Sequence, residues 1–184
     1  MKILKVLSIF LMIGIMIQCK KEKNNDFVIT KDKIGKLDRA SLARDIDLIY
    51  AEDSVVIDTV KLNFRNGAGK IRIYESGGVH LLTLTPNTDS IPTIQNVQMH
   101  DHRFIASNRI TKNSTFKDIN DVFEVKKIIT SLNNIIVILR QNDLYFTIDK
   151  KELPANLRYT TTTQIEAVQI PDSAKVKYMM VSWD

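Results

Sequence analysis

A single cysteine closes the first apolar run of the chain, and it limits how the rest can be held together. Cys19 is the one cysteine among 184 residues. No disulfide within one molecule can brace the fold, so a hydrophobic core has to do that work. Ahead of it stand Lys2 and Lys5, then Val6 to Ile17, apolar apart from the small breaks Ser8 and Gly14. A basic start before such a run reads as an export signal rather than as folded structure. The run is also shorter than the ~20 apolar residues a spanning helix needs. Lys20, Lys21 and Lys23 sit just beyond it, where positive charge opposes translocation of the downstream domain if the segment stays as an anchor. A plain cleaved signal peptide and an uncleaved anchor are the alternatives to a lipid on the cysteine.

An exported chain with one unpaired thiol is out of place in an oxidising compartment, and acylation would consume that thiol. Met16-Ile17-Gln18-Cys19 resembles a bacterial lipobox, with Gln18 in the slot where such boxes carry a small residue, and a polar tether runs from Lys20 to Asp26. Looser boxes with charged tethers resemble those of flavobacteria and their relatives. The resemblance implies a signal peptide over 1–18, an acyl chain (palmitate type) on Cys19 and a lipidated tether over 19–26. Lys20-Lys21-Glu22-Lys23 lacks the acidic pair of surface-export signals, so the expected place is the outer membrane, facing the periplasm.

The chain from Cys19 onward has the size of one ordinary domain or two small ones. Hydrophobic residues make up 44% and charged residues 26% of the whole sequence, the balance of a globular protein rather than a disordered one. The formal net charge of +5 falls to +3 once Lys2 and Lys5 leave with the signal. That is too weak, without a basic stripe on a recognisable fold, to point to nucleic acid.

Two stretches echo one another. Arg44-Asp45-Ile46-Asp47-Leu48-Ile49-Tyr50 aligns without gaps to Lys117-Asp118-Ile119-Asn120-Asp121-Val122-Phe123. In the first, Leu42, Ile46, Ile49 and Tyr50 fall at helical spacing with Asp38 or Ser41 as the cap. In the second, the stripe is Phe116, Ile119, Val122 and Phe123, capped by Asn113 or Ser114. Each is succeeded by three strand-like runs. They are Val55 to Phe64, Lys70 to Glu75 and Val79 to Thr85 in one copy, and Val125 to Leu132, Ile135 to Arg140 and Leu144 to Asp149 in the other. Asn66-Gly67-Ala68-Gly69, Gly77-Gly78, Asn133-Asn134 and Gln141-Asn142-Asp143 punctuate them as turns. The connector from Pro86 to Phe104 adds a strand at Thr93 to Met99. Lys175 to Trp183 reads as a final strand, with Val176, Tyr178 and Met180 on one face and Met179, Val181 and Trp183 on the other, both expected to be buried. The expected fold is therefore α+β. Two tandem helix-plus-antiparallel-meander repeats form one domain with helices on one face of the sheet, repeat one with its connector over 27–104 and repeat two with the C-terminal strand over 105–184.

This layout, with Gly77-Gly78-Val79-His80-Leu81-Leu82-Thr83-Leu84-Thr85-Pro86 and Ile165-Glu166-Ala167-Val168-Gln169-Ile170-Pro171-Asp172, resembles a group of uncharacterised flavobacterial lipoproteins. More distantly it is similar to the β-lactamase-inhibitor-like envelope proteins. The resemblance implies a binding or assembly module rather than an enzyme, and it carries over no functional residue.

Chemistry-bearing motifs are sparse. His100 and His102, two apart, would share a face of a strand and chelate a metal only with His80 brought in from another strand. Asp101-His102-Arg103-Phe104 reads more easily as an exit turn, so no metal is expected. There is no Gly-x-Ser-x-Gly elbow. The carboxylate pairs Asp45 and Asp47, and Asp143 and Asp149, sit at helix starts and turns, as caps do. Gly67 and Gly69 mark a hairpin, since no helix comes after them to cradle phosphate. Asn113-Ser114-Thr115 reads as a helix cap, not as a glycan acceptor, and Thr160 to Thr163 as an edge strand or loop. No cofactor is expected. The functional expectation is a membrane-anchored, non-catalytic module for an envelope protein or a glycan, with Tyr74, Tyr145, Tyr178 and Trp183 as the contacting aromatics. The alternative is a small-ligand carrier, or less readily a hydrolase, with a cavity between sheet and helices. A deep apolar pocket favours the carrier; a filled core with a flat exposed patch favours the module.

Overall fold

The computed structural model describes residues 26–58, 69–159 and 164–183. Cys19 with its signal and most of the tether, the chain over 59–68 and the threonine run Thr160 to Thr163 lie outside the described residues.

Among the described residues, the alternating apolar runs form strands. A short hairpin comes first, β1 (Lys33–Ile34) and β2 (Leu37–Asp38). Gly35 in its turn has φ +56, and a Cβ there would run into the Asp26 carbonyl, so glycine is required. The main sheet contains β3 (Ser54–Ile57), β4 (Ile71–Tyr74), β5 (His80–Pro86), β6 (Ile94–Met99), β7 (Val125–Thr130), β8 (Asn134–Leu139), β9 (Leu144–Asp149) and β10 (Val176–Ser182). Among the described residues its eight strands run in the order β3-β4-β5-β6-β10-β9-β8-β7. Every pairing is antiparallel. The helices are short: α1 (Ile46–Ile49), α2 (Phe116–Val122) and α3 (Ala155–Arg158). The architecture is α+β, a large antiparallel sheet with few helices.

Register explains the core. Val55, Ile73, Leu82, Met99, Met179, Phe146, Val137 and Ile128 face one another in turn, one residue from each strand. Ile73, Leu82, Val137, Phe146 and Met179 in this row have no exposed surface. Burying each such side chain contributes about 1.5–3 kcal/mol. Ile46 and Tyr50 from the α1 segment, Phe116 and Ile119 from α2 and Leu157 from α3 belong to the same packed cluster.

Three local expectations are corrected. First, neither Asp38 nor Ser41 caps the first helix. Ser41 Oγ accepts the Asp38 N–H instead, and the chain enters α1 through a 3₁₀ turn, Ala43–Asp45, with no side-chain cap. Leu42 is not on the stripe; it bridges to Thr93. Second, α2 is capped neither by Asn113 nor by Ser114 but by Thr115. Its side chain accepts from the Asp118 N–H while the Asp118 carboxylate accepts from the Thr115 N–H. Third, β10 is buried on one face only. Register shifts between Val176 and Tyr178, a bulge at Lys177 that turns Val176 to the packed side with Met179 and Val181. Tyr178 stays 38% exposed on the other.

Candidate functional site

One face of the sheet is packed, so the alternate residues of every strand stand on the other. Across that open face runs a second continuous row: Val56, Arg72, Thr83, Gln98, Met180, Tyr145, Ile138 and Lys127. A parallel row joins Tyr178, Thr147, Ile136 and Ile129. The two halves of the face differ in chemistry.

The half built by β7 to β10 is apolar and aromatic. Ile129 is 41% and Tyr178 38% exposed, and Ile136, Ile138, Tyr145 and Met180 are half-buried. Tyr145 donates its hydroxyl to Asn96 Oδ1 at 2.8 Å, which fixes the ring, and burial raises its pKa. Lys177 reaches Asp149 and Asn134, each at 3.0 Å, with its ammonium 5.5 Å from the Tyr178 ring centroid. Lys126 and Lys127 border the patch on the edge strand β7, where exposed lysines discourage edge-to-edge pairing.

The half built by β4 to β6 is polar and carries two histidines. His80 opens β5 and His100 comes directly after β6, with the His100 N–H bonded to the Leu81 carbonyl at 2.9 Å. Their rings stack at 3.7 Å and 15°, and Tyr74 stacks on His80 at 4.6 Å and 25°. Thr83 Oγ1 lies 3.1 Å from His80 Nε2 and 3.0 Å from His100 Nε2. His80 Nε2 is also 3.2 Å from the Leu82 carbonyl, which can only accept, so this nitrogen carries the proton. The Thr83 hydroxyl, accepting from His80, is then free to donate to His100 Nε2, which places the His100 proton on Nδ1. Burial, and after it the neighbouring His80, pushes the His100 pKa down to about 4. Burial likewise lowers that of His80. Both rings are neutral at pH 7.

The structure therefore joins His80 to His100 and leaves His102 out. His102 lies in the turn after β6, its side chain 68% exposed and 3.6 Å from Asp101. β6 ends at Met99 and residues 101–103 turn away, so His100 and His102 do not share a strand, in line with the exit-turn reading. Among the described residues no three His, Cys, Asp or Glu side chains gather as a metal set. Of the four candidate aromatics, Tyr74, Tyr145 and Tyr178 stand on the open face. Trp183 does not: it is 4% exposed in the core, and its indole Nε1 has no hydrogen-bond partner among the described residues. Of the carboxylate pairs, Asp45 stands at the start of α1 without a side-chain cap bond, whereas Asp143 and Asp149 have structural duties. Asp143 holds Arg39 at 2.7 Å, and Asp149 accepts from the Lys151 N–H at 3.0 Å. Composition alone does not reveal Thr83, Ile136, Ile138 or Met180; the register of neighbouring strands does.

Cavities are modest. A cleft of about 420 Å³ is walled by Arg39, Asn87, Asp89, Thr93, Gln95 and Trp183 among others, mostly polar. A hollow of about 210 Å³ is lined by Ile29, Phe123, Leu144 and Val181 together with the polar Ser107, Gln141, Asn142 and Asp143, below the ~300–1,000 Å³ usual for ligand pockets.

No family model and no curated protein sequence matches the chain. Its fold is similar to that in the crystal structure of the uncharacterized protein yfeY from Escherichia coli, with a TM-score of 0.53 and 10% sequence identity. The match covers 84% of this chain and 98% of that one. At this identity the likeness concerns the fold alone.

Proposed function

We propose that this chain is a bacterial envelope lipoprotein, held in the outer membrane through an acylated Cys19 and facing the periplasm, that docks a partner protein without catalysis on the open face of its sheet. The observation that carries the reading is the pairing of a filled core with a half-exposed apolar and aromatic patch on the opposite face. The inward row is buried from Ile73 through to Val137, while Ile129, Ile136, Ile138, Tyr145, Tyr178 and Met180 gather on the outward side. Patches of this kind, rimmed by polar groups, mark interaction surfaces, and tyrosine brings large contact area at low entropic cost. A glycan stacking on the same tyrosines is the second form of partner. The small-ligand carrier is the weaker reading, since the larger cleft is mostly polar and the hollow of mixed lining is small.

The same reading takes 27–104 and 105–184 as two copies of one unit. Each half holds a short helix, three strands in meander order and a fourth strand after a connector, while β1 and β2 in the first half and α3 in the second have no counterpart. The sheet order mirrors about the β6–β10 pairing.

A photo-crosslinking residue at position 178 or 129, in cells carrying the full chain, tests the docking. One discrete adduct from either open-face position, absent when the probe replaces the 90% exposed Val168, is the expected result. The same ladder from all three positions, or a co-purifying small molecule in place of an adduct, overturns it. Cys19→Ser tests the anchor separately, with loss of acyl labelling and of membrane association expected together.

A further inference from the structure

The packed row of the sheet ends at β7, and it ends incomplete. Val137 on β8 is fully buried, whereas Ile128, its neighbour on β7, is only half-buried. The backbone of this edge is incomplete too. The Ser131 N–H donates to the Asn134 carbonyl at 2.9 Å, so that pair is a hydrogen-bonded one. Alternation then gives the bonds to β8 to Ile129 and Lys127, and the N–H and C=O groups of Ile128 and Thr130 point away from the sheet. Among the described residues no strand lies on that side of β7. We propose that β7 is the edge at which the partner docks: an extended, acidic segment of that protein adds to it as one more antiparallel strand and so widens the open face.

Charge selects the segment. Nearby Lys177 and Arg140 are held by Asp149 and Glu124. Lys126 and Lys127 are exposed, and among the described residues neither joins an ion pair. A second copy of β7 would set these lysines against their equivalents, and like charges across a ladder are destabilising. The chain's own segments outside the described residues suit the edge no better. Residues 59–68 carry Lys61 and Arg65 without a carboxylate, and the tether sets Lys20, Lys21 and Lys23 against Glu22. Carboxylates beside Lys127 on the open face, alternating with apolar side chains over Ile128 on the packed face, match both faces of the edge. Backbone bonds of this kind supply affinity and the alternate side chains supply specificity. The register shift at Lys126 confines the free ladder to Ile128 and Thr130, so the segment is short. The inference rests on the docking reading, in which the partner is a protein, and adds the edge it uses and the chemistry of its segment.

The probe is a short, capped, dye-labelled peptide of alternating glutamate and valine, whose anisotropy is followed as the full chain is added. With its valines over Ile128 and Thr130, the valine amides face β7 and the glutamate amides face solvent. The expected result is binding by wild type that is lost when the valine amides are N-methylated and kept when the glutamate amides are. Lys126→Glu combined with Lys127→Glu should weaken binding about tenfold and admit a lysine–valine peptide instead. Thr130→Pro removes an outward donor without touching a bond to β8 and should abolish binding. Thermal unfolding shows that the variants are folded, and the charge reversal carries the test should the proline variant not be. Equal binding of the glutamate and lysine peptides by wild type, indifference to the methyl position, or unchanged anisotropy overturns the proposal. A cross-linked adduct from position 178 without peptide binding overturns the edge and leaves the docking face standing; peptide binding without any adduct does the reverse.

Discussion

Arg103 shows how one side chain can tie separate segments of this fold together. Its guanidinium donates to both oxygens of Glu75 at 2.9 Å and to Asp101 Oδ2 at 2.9 Å, and it sits 4.2 Å from the Phe27 ring centroid. Phe27 in turn meets Phe104 edge-on at 5.1 Å, so the start of the described chain, the end of β4 and the turn after β6 share one fork. A fork matters more than a charge here, since only a planar guanidinium reaches two carboxylates and an aromatic face together. Hydrogen bonding to Glu75 and then Asp101 raises the Arg103 pKa, and the Asp101 side chain is only 5% exposed. Arg103→Ala takes the guanidinium from that buried carboxylate, leaving it only the residue 103 backbone N–H, and is expected to cost about 1–3 kcal/mol in urea unfolding. Arg103→Lys should fall between it and wild type. The exposed pair Lys117–Asp121, at 3.0 Å, provides the comparison, because Lys117→Ala should change stability by under ~1 kcal/mol. Equal effects of Arg103→Ala and Lys117→Ala would falsify the fork's role.

At the scale of elements, α2 depends on its start. Seven residues are too few for a helix to hold itself together, so the capping box and the burial of Phe116 and Ile119 have to do it. Thr115→Ala should cost about 1 kcal/mol. The Thr115 N–H, and then its hydroxyl, hold the Asp118 carboxyl below its ordinary 3.8. A carboxylate with a depressed folded-state pKa stabilises at neutral pH, and the contribution is lost as pH falls from about 3.8 through the lower folded value. Asp118→Asn should therefore flatten the pH dependence of stability in that acid window and leave the neutral-to-basic side unchanged in shape; an acid limb of wild-type steepness counts against the box. This helix is legible in the sequence, because Phe116, Ile119 and Val122 carry the period. Its cap is not. Asn113, Ser114 and Thr115 are all capable cappers in a row, and the choice is made at a distance by the Ala174 and Asp172 carbonyls, which take the Phe116 and Lys117 N–H groups at 2.8 and 3.0 Å. The faces of β10 mislead for a related reason. Period-two reading assumes an unbroken pleat, and one bulge at Lys177 reverses every residue before it. β8 hides its open face differently: Ile135 to Leu139 is apolar throughout, so nothing in the run distinguishes Ile136 and Ile138 from their buried neighbours.

At the scale of the whole molecule, the pairing of β6 with β10 decides whether there is one folding unit or two. Val97 opposes Val181 and Met99 opposes Met179 across it, and the Trp183 N–H closes the end on the Gln95 carbonyl at 2.7 Å. No local pattern predicts this contact, since the strands lie far apart in the chain and either would satisfy its alternation against another partner. Yet the core row crosses the seam without a break, from Leu82 through Met99 and Met179 to Phe146. A sheet packed continuously across its middle should unfold as one. Trp183 is the only tryptophan in the chain and is buried at that seam, so its emission reports the junction itself. Urea unfolding tracked by Trp183 emission and by far-ultraviolet circular dichroism should give one shared midpoint. Phe146→Ala, on the β9 side, empties a fully buried site and should lower stability by about 3–5 kcal/mol, moving both signals together. If the halves were separate units joined at a weak seam, the same substitution would split the dichroism into two steps and leave β3 to β6 at their original midpoint. A single shifted transition would instead mean that the open face, from its tyrosines to its histidines, is presented by one cooperative slab.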